Sequence, residues 1–182
     1  IEAAISGTNE FTPGQDATIR VIVWNSGVNT LKFVTKGTIE RDDLPTTAKM
    51  VTVGLSAGNA PLVIKTDPQV IGDLKSQAMA TVSIASKITS DATYGEYQIP
   101  LTIRYTYLSS SDQEAADVLQ FNYKQVYETI PITIKIKPQV KIEVLDVVSE
   151  NLNIGTEGYL NLTIKNIGLE DGKKAAVKIL RN

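Results

Sequence analysis
Any chemistry in this sequence must come from carboxylates, hydroxyls, lysines and a few aromatic rings, because its 182 residues include no His and no Cys. That absence removes imidazole and thiolate zinc sites, iron–sulfur clusters, Ser-His-Asp triads and cysteine nucleophiles together. Two carboxylates suffice for glycoside hydrolysis, and Glu96 with Asp91 or Asp117 is the nominal pair. No aromatic platform surrounds them in the sequence, where aromatic residues are 6% and Trp24 is the one tryptophan. No catalytic residue is assigned, and the chain reads as a non-enzyme. Glu40-Arg41-Asp42-Asp43 and Asp112/Glu114/Asp117 offer oxygens to Ca²⁺, yet neither has the ligand spacing or the glycine of a calcium loop. Both read as solvated loop charge. No metal and no cofactor is assigned.

Binding is the other chemistry on offer. Trp24 falls opposite the apolar face of its segment, so it is either an exposed platform for a sugar ring or a ring covered by the 28–47 connection. Tyr105, Tyr107, Tyr123 and Tyr127 fall along two neighbouring segments, either as cross-strand aromatic pairs or as a binding face. Trp24, Tyr105 and Tyr107 are the candidate binding-surface residues. Asn161-Leu162-Thr163 is the single glycosylation sequon and requires an outward position for Asn161.

The elements that must position these residues are strands. Ile (20), Val (16) and Thr (19) together supply 55 of the 182 residues, against 14 Leu and 14 Ala, a bias toward β-branched side chains and away from good helix formers. Apolar residues recur with period 2: Ile19, Val21 and Val23; Val51, Val53 and Leu55; Ala80, Val82 and Ile84. The longest rows are Tyr97, Ile99, Leu101, Ile103 and Tyr105, then Ile130, Ile132, Ile134 and Ile136. Pro100 and Pro131 interrupt two runs and predict edge or bulge positions, since each removes a ladder donor. Thr12-Pro13-Gly14, Asn25-Ser26-Gly27, Ala57-Gly58-Asn59, Ile71-Gly72-Asp73 and Ser109-Ser110-Ser111-Asp112 read as turns. The stretch 108–117 is expected to be an exposed, mobile excursion.

An internal repeat orders the whole chain. Gly14-Gln-Asp-Ala-Thr-Ile-Arg-Val-Ile-Val-Trp-Asn-Ser-Gly27 matches Gly155-Thr-Glu-Gly-Tyr-Leu-Asn-Leu-Thr-Ile-Lys-Asn-Ile-Gly168 at an offset of 141 residues. Ile19, Val21 and Val23 fall on Leu160, Leu162 and Ile164, and Asn25 falls on Asn166. Ile1–Ser6 corresponds loosely to 140–147, and Ala48–Val53 resembles 174–179. So long a period predicts tandem domains rather than a solenoid, with residues 1–138 as the first and 139–182 as part of a second. The joint at Lys137-Pro138-Gln139 is too short to be floppy.

This sequence of Pro-Gly turn, apolar alternation, Asn-x-Gly, Ile71-Gly72-Asp73-Leu74, then Gly95-Glu96-Tyr97 before a long strand resembles archaeal S-layer-like immunoglobulin-like domains. It is similar also to the bacterial cell-adhesion-related domain and the domain appended to some α-galactosidases. The resemblance implies an all-β, immunoglobulin-like β-sandwich followed by the start of a second. It implies a structural or adhesion module of an extracellular, cell-surface protein with no catalytic residues. The long polar connections 28–47 and 108–120 depart from the family pattern. They leave open a carbohydrate- or protein-binding accessory role, beside a hydrolase domain outside this chain. In the resemblance Tyr97 is a tyrosine-corner residue, its hydroxyl tied to nearby backbone; otherwise it is a core tyrosine with its hydroxyl in water.

Formal net charge is -2, so nothing here is built for nucleic acid, and no apolar run reaches the ~20 residues of a membrane helix. The chain opens Ile1-Glu2 and is taken as a piece of something longer. Expected partners are other domains of the same protein. Residues 139–182 are expected to form three strands, 140–147, 159–165 and 175–180, whose face of Leu160, Leu162 and Ile164 lacks a second sheet. That face is expected to be completed by a second copy of the chain; a domain cut in half is the competing explanation.

Overall fold
The structure, a computed structural model, describes residues 1–28, 45–66, 68–115, 118–155, 157–178 and 180. It is all-β: eleven strands and no helix are present among the described residues. Accordingly, none of these residues forms a helix long and apolar enough to cross a membrane. Two compact units divide the chain, Ile1–Ile136 and Lys137–Asn182.

Unit 1 contains nine strands: β1 (Glu2–Ile5), β2 (Glu10–Phe11), β3 (Asp16–Trp24), β4 (Ala48–Leu55), β5 (Leu62–Ile64), β6 (Gln69–Leu74), β7 (Met79–Ile88), β8 (Gly95–Ala115) and β9 (Val118–Ile136). They form a four-stranded sheet ordered β1-β3-β7-β5 and a five-stranded sheet ordered β2-β9-β8-β4-β6. The alternating rows meet in one core. Ile19, Val21 and Val23 from the first sheet, and Val51, Val53, Ile99, Leu101, Ile103 and Ile134 from the second, are all 0% exposed. Removing such rows from water is the main term that holds two sheets face to face, an arrangement consistent with a β-sandwich.

The two prolines are accommodated by the parity of the ladder. Pro100 pairs directly with Pro131. On β9 the Lys135 N–H donates to the Asn9 carbonyl at 2.8 Å, so the odd residues of β9 turn their backbone groups away from β8. Pro131 is therefore edge-facing and costs the β8–β9 ladder nothing. Pro100 sits in a central strand, contrary to an edge assignment. Its backbone faces β4 at the level where that strand ends, and its carbonyl accepts from the Ser56 N–H at 3.1 Å.

Two expected turns are strand instead. Ile71-Gly72-Asp73 lies inside β6, where Gly72 takes a φ of 88° beside a register irregularity opposite Val51. Ser109–Asp112 continues β8, so 108–115 is one arm of a long hairpin rather than a mobile excursion; Ala116 and Asp117 lie outside the described residues. Polar side chains pin the arm: Ser109 Oγ donates to the Asn122 carbonyl at 2.8 Å, and Asn122 Nδ2 donates to Asp112 Oδ2 at 2.9 Å.

The expected turn at Ala57-Gly58-Asn59 is present, and it needs its glycine. Gly58 has φ of 57°, and a Cβ there would lie 3.1 Å from Cδ of Pro100. A rigid ring in a central strand yields little, and a left-handed φ penalises any side chain. Gly58→Ala is expected to lower stability by about 1–2 kcal/mol, read as a lower urea midpoint at unchanged slope.

Unit 2 holds an antiparallel pair, β10 (Ile142–Glu150) and β11 (Tyr159–Asn166). Its register repeats that of unit 1 at the same offset. Glu2 pairs with Trp24 and Ala3 with Val23; Glu143 pairs with Lys165 and Val144 with Ile164. A bulge at Leu145 then shifts the ladder, so that Val147 rather than Asp146 meets Leu162. Without that extra residue a carboxylate would fall in an apolar row. The expected third strand at 175–180 is absent among the described residues, which exclude Ile179. Its counterpart β4 is a strand because β6 and β8 supply ladders on both sides. Among the described residues of unit 2 no such ladders form, and Lys174 turns to a φ of 57°.

Candidate functional site
Ladder parity sorts the aromatic residues. The buried row Ile99, Leu101 and Ile103 continues along β8 into Tyr105 and Tyr107, both half-buried and inward-facing. They line a cleft of about 450 Å³ with Asn25, Val126 and Glu128. The Tyr105 hydroxyl donates to Oε1 of Glu128 at 3.3 Å. Partial burial raises the Tyr105 pKa above its ordinary value, and the neighbouring Glu128 carboxylate adds to the rise. Val28 and Pro45 border the cleft; residues 29–44, including Glu40–Asp43 and most of the 28–47 connection, lie outside the described residues.

The remaining candidates stand elsewhere. Trp24 is half-buried at the end of β3, on the outward face of the four-stranded sheet between Glu2 and Met79. The structure therefore joins Tyr105 to Tyr107 but does not bring Trp24 to them. Tyr97 makes the backbone tie, its hydroxyl donating to the Thr93 carbonyl at 2.9 Å. Asn161 is exposed on β11, facing away from Leu160 and Leu162. Glu96 is held by the Lys135 ammonium at 2.9 Å. The Asp91 carboxyl lies below the usual carboxylate range because Thr89 and its own backbone hydrogen-bond to it. Asp117 lies outside the described residues, and no group of three or more metal-ligating side chains forms among those described.

The four tyrosines do not cluster. Tyr105 pairs with Val126, Tyr107 with Lys124, Tyr123 with Leu108 and Tyr127 with Arg104, so no two tyrosines stand directly opposite and the cross-strand pairing is not formed. Tyr123 and Tyr127 face outward instead, in one row with Phe121. The three are 47%, 65% and 37% exposed respectively. The Lys49 ammonium lies 5.7 Å from the Tyr123 ring centroid, within cation–π range. Parity alone would have separated the two pairs, since the inward isoleucines of β9 are even-numbered and its tyrosines odd.

No family model, curated protein or solved structure matches the chain.

Proposed function
We propose that this chain belongs to a non-catalytic structural or adhesion module of a larger extracellular, S-layer-like cell-surface protein built from tandem immunoglobulin-like sandwiches. The observation that carries this reading is the repeated strand pair. Up to the bulge at Leu145, β10 and β11 copy the register of β1 and β3 at the 141-residue offset. The copy extends to the turn that ends each pair: Asn25 Oδ1 accepts from the Gly27 N–H at 3.0 Å, and Asn166 Oδ1 from the Gly168 N–H at 3.0 Å. A repeated first strand pair supports the reading of a string of modules.

The strand order of unit 1 supports the immunoglobulin-like part. β1-β3-β7-β5 matches the A-B-E-D sheet and β9-β8-β4 the G-F-C sheet. The Tyr97 tie stands where a tyrosine corner does, at the entry to the F-equivalent β8. One departure is topological: the D-like edge β5 precedes the C′-like edge β6 in the chain. Another is chemical, since there is no Cys for an inter-sheet disulfide.

Antibodies raised against residues 1–138 are expected to label intact, unpermeabilised source cells, with the label removed by external protease. Labelling that requires permeabilisation would refute a surface location. The accessory-module reading is favoured by one observation, the outward aromatic row of β9.

A further inference from the structure
We propose that the outward face of β8 and β9 binds an acidic glycan, a linear saccharide carrying carboxylate groups, along the row Phe121, Tyr123 and Tyr127. This site is independent of the modular role above, because it rests on side chains that the core does not use. β9 pairs residue for residue with β8 from Tyr123 to Lys135, and the irregularity opposite Tyr123 and Asn122 is an extra residue on β8, Ser109, so the odd residues of β9 share one face. At ~3.4 Å per residue the three rings span roughly 20 Å, a length suited to several sugar rings rather than one. The inward residues of the same strand, Ile132, Ile134 and Ile136, are at most 5% exposed, whereas Tyr127 is 65% exposed. Clustered exposed aromatics with polar neighbours mark binding surfaces rather than scattered apolar surface.

The surroundings select the ligand class. Between Tyr123 and Tyr127 stand hydrogen-bonding side chains, Gln125 on β9 and its partner Thr106 on β8, and Thr102 and Thr129 follow beyond Tyr127. The Tyr127 hydroxyl donates to Oε1 of Gln125 at 2.9 Å, a bond between neighbours on the same face that draws the ring down along the strand. Aromatic faces take the C–H face of a pyranose, and amide and hydroxyl groups take its hydroxyls. A row of such platforms along one strand fits an extended chain of sugars better than a folded protein, which would need a contiguous apolar centre. The outward positions 102–108 of β8 and 121–129 of β9 contain a single charged side chain, Arg104, which pairs directly with Tyr127. Lys49 places a second cation at Tyr123. A guanidinium beside a stacking ring matches a sugar carboxylate, which it can hold with two parallel hydrogen bonds.

Affinity electrophoresis of the full chain through gels containing polygalacturonate, a neutral β-glucan or poly-L-glutamate tests the assignment. The chain has a net charge of -2, so adsorption to any polyanion is opposed and retention is informative. Polygalacturonate is expected to retard the chain in a salt-sensitive manner. Tyr127→Ala should weaken retention at least tenfold, Arg104→Gln severalfold, and Tyr127→Phe little. Each variant should melt as the parent does, because these side chains are outside the core. Absence of retardation, or retardation unchanged in Tyr127→Ala, overturns the site. Equal retention on the neutral glucan with Arg104→Gln silent overturns the acidic assignment. Equal retention on poly-L-glutamate overturns a glycan in favour of an acidic protein partner.

Discussion

Asn25→Ala is expected to destabilise unit 1 by about 2–4 kcal/mol, near the top of the range for a single side-chain deletion. Asn25 is 5% exposed and makes three bonds at once. Its Nδ2 donates to the carbonyls of Thr46 at 2.7 Å and Leu74 at 2.9 Å, while its Oδ1 accepts from the Gly27 N–H. Truncation leaves these backbone groups without their partner, and a buried unsatisfied polar group costs about 1–3 kcal/mol. At roughly 3–5 °C per kcal/mol for a unit of this size, the melting temperature should fall by about 10 °C, measurable by calorimetry. Asn25→Asp adds a sign test. The carboxylate keeps the acceptor for Gly27 but faces two carbonyl oxygens, so its pKa is raised in the folded state. The variant should therefore be less stable at pH 7 than at pH 4, losing stability as pH rises above the ordinary Asp value of about 3.9. Asn166→Ala, the matching change in the second copy, removes bonds at an exposed position and should leave the unit 1 transition within about 0.5 kcal/mol. An Asn25→Ala protein that melts like the parent would show that water replaces the side chain at no cost.

The contrast between those asparagines shows what the sequence could and could not carry. Asn25 and Asn166 are identical in motif, and the turn they make is legible as Asn-x-Gly. Their burial is not, because burial comes from the strands that close over each turn. The same holds across the chain. Rows such as Ile19/Val21/Val23 and Ile99/Leu101/Ile103 announce themselves by period, because one face of each must leave water. β5, only three residues long and directly after Pro61, and β6, containing Gly72, have too little alternation to be seen, and exist because β7 and β4 offer them a ladder. The hairpin arm was hidden by Ser109–Asp112, a composition that usually makes turns. Cross-strand bonds to Asn122 use that polarity to extend the ladder instead. The aromatic site needed one more step: the spacing of tyrosines was visible, but which rows share a face depends on the inward parity of both strands.

Self-association driven by unit 2 is the other large effect expected. The bulge at Leu145 gathers Ile142, Val144, Val147, Leu160, Leu162 and Ile164 on one face of β10 and β11. Ile142, Val144 and Val147 are 48%, 55% and 54% exposed, and Ile164 is 43% exposed. Val23, the counterpart of Ile164 on β3, is 0% exposed beneath the facing sheet. A two-stranded sheet is marginal without a packed face, and an apolar face of this kind promotes association. The full chain is expected to bind a fluorescent apolar dye severalfold more strongly than residues 1–138. Its mean mass by light scattering should rise with concentration, while 1–138 stays monomeric. Leu162→Asp places a charge in the middle of the row and should abolish both effects. It should leave the unit 1 melting transition where it was, since unit 1 has its own core. Monomers throughout, with dye binding and solubility unchanged by Leu162→Asp, would mean that this face needs no cover and that the register assigned to β10 is wrong. Association that survives in 1–138 would move the interface to unit 1, where the outward face of β9 is the first surface to mutate.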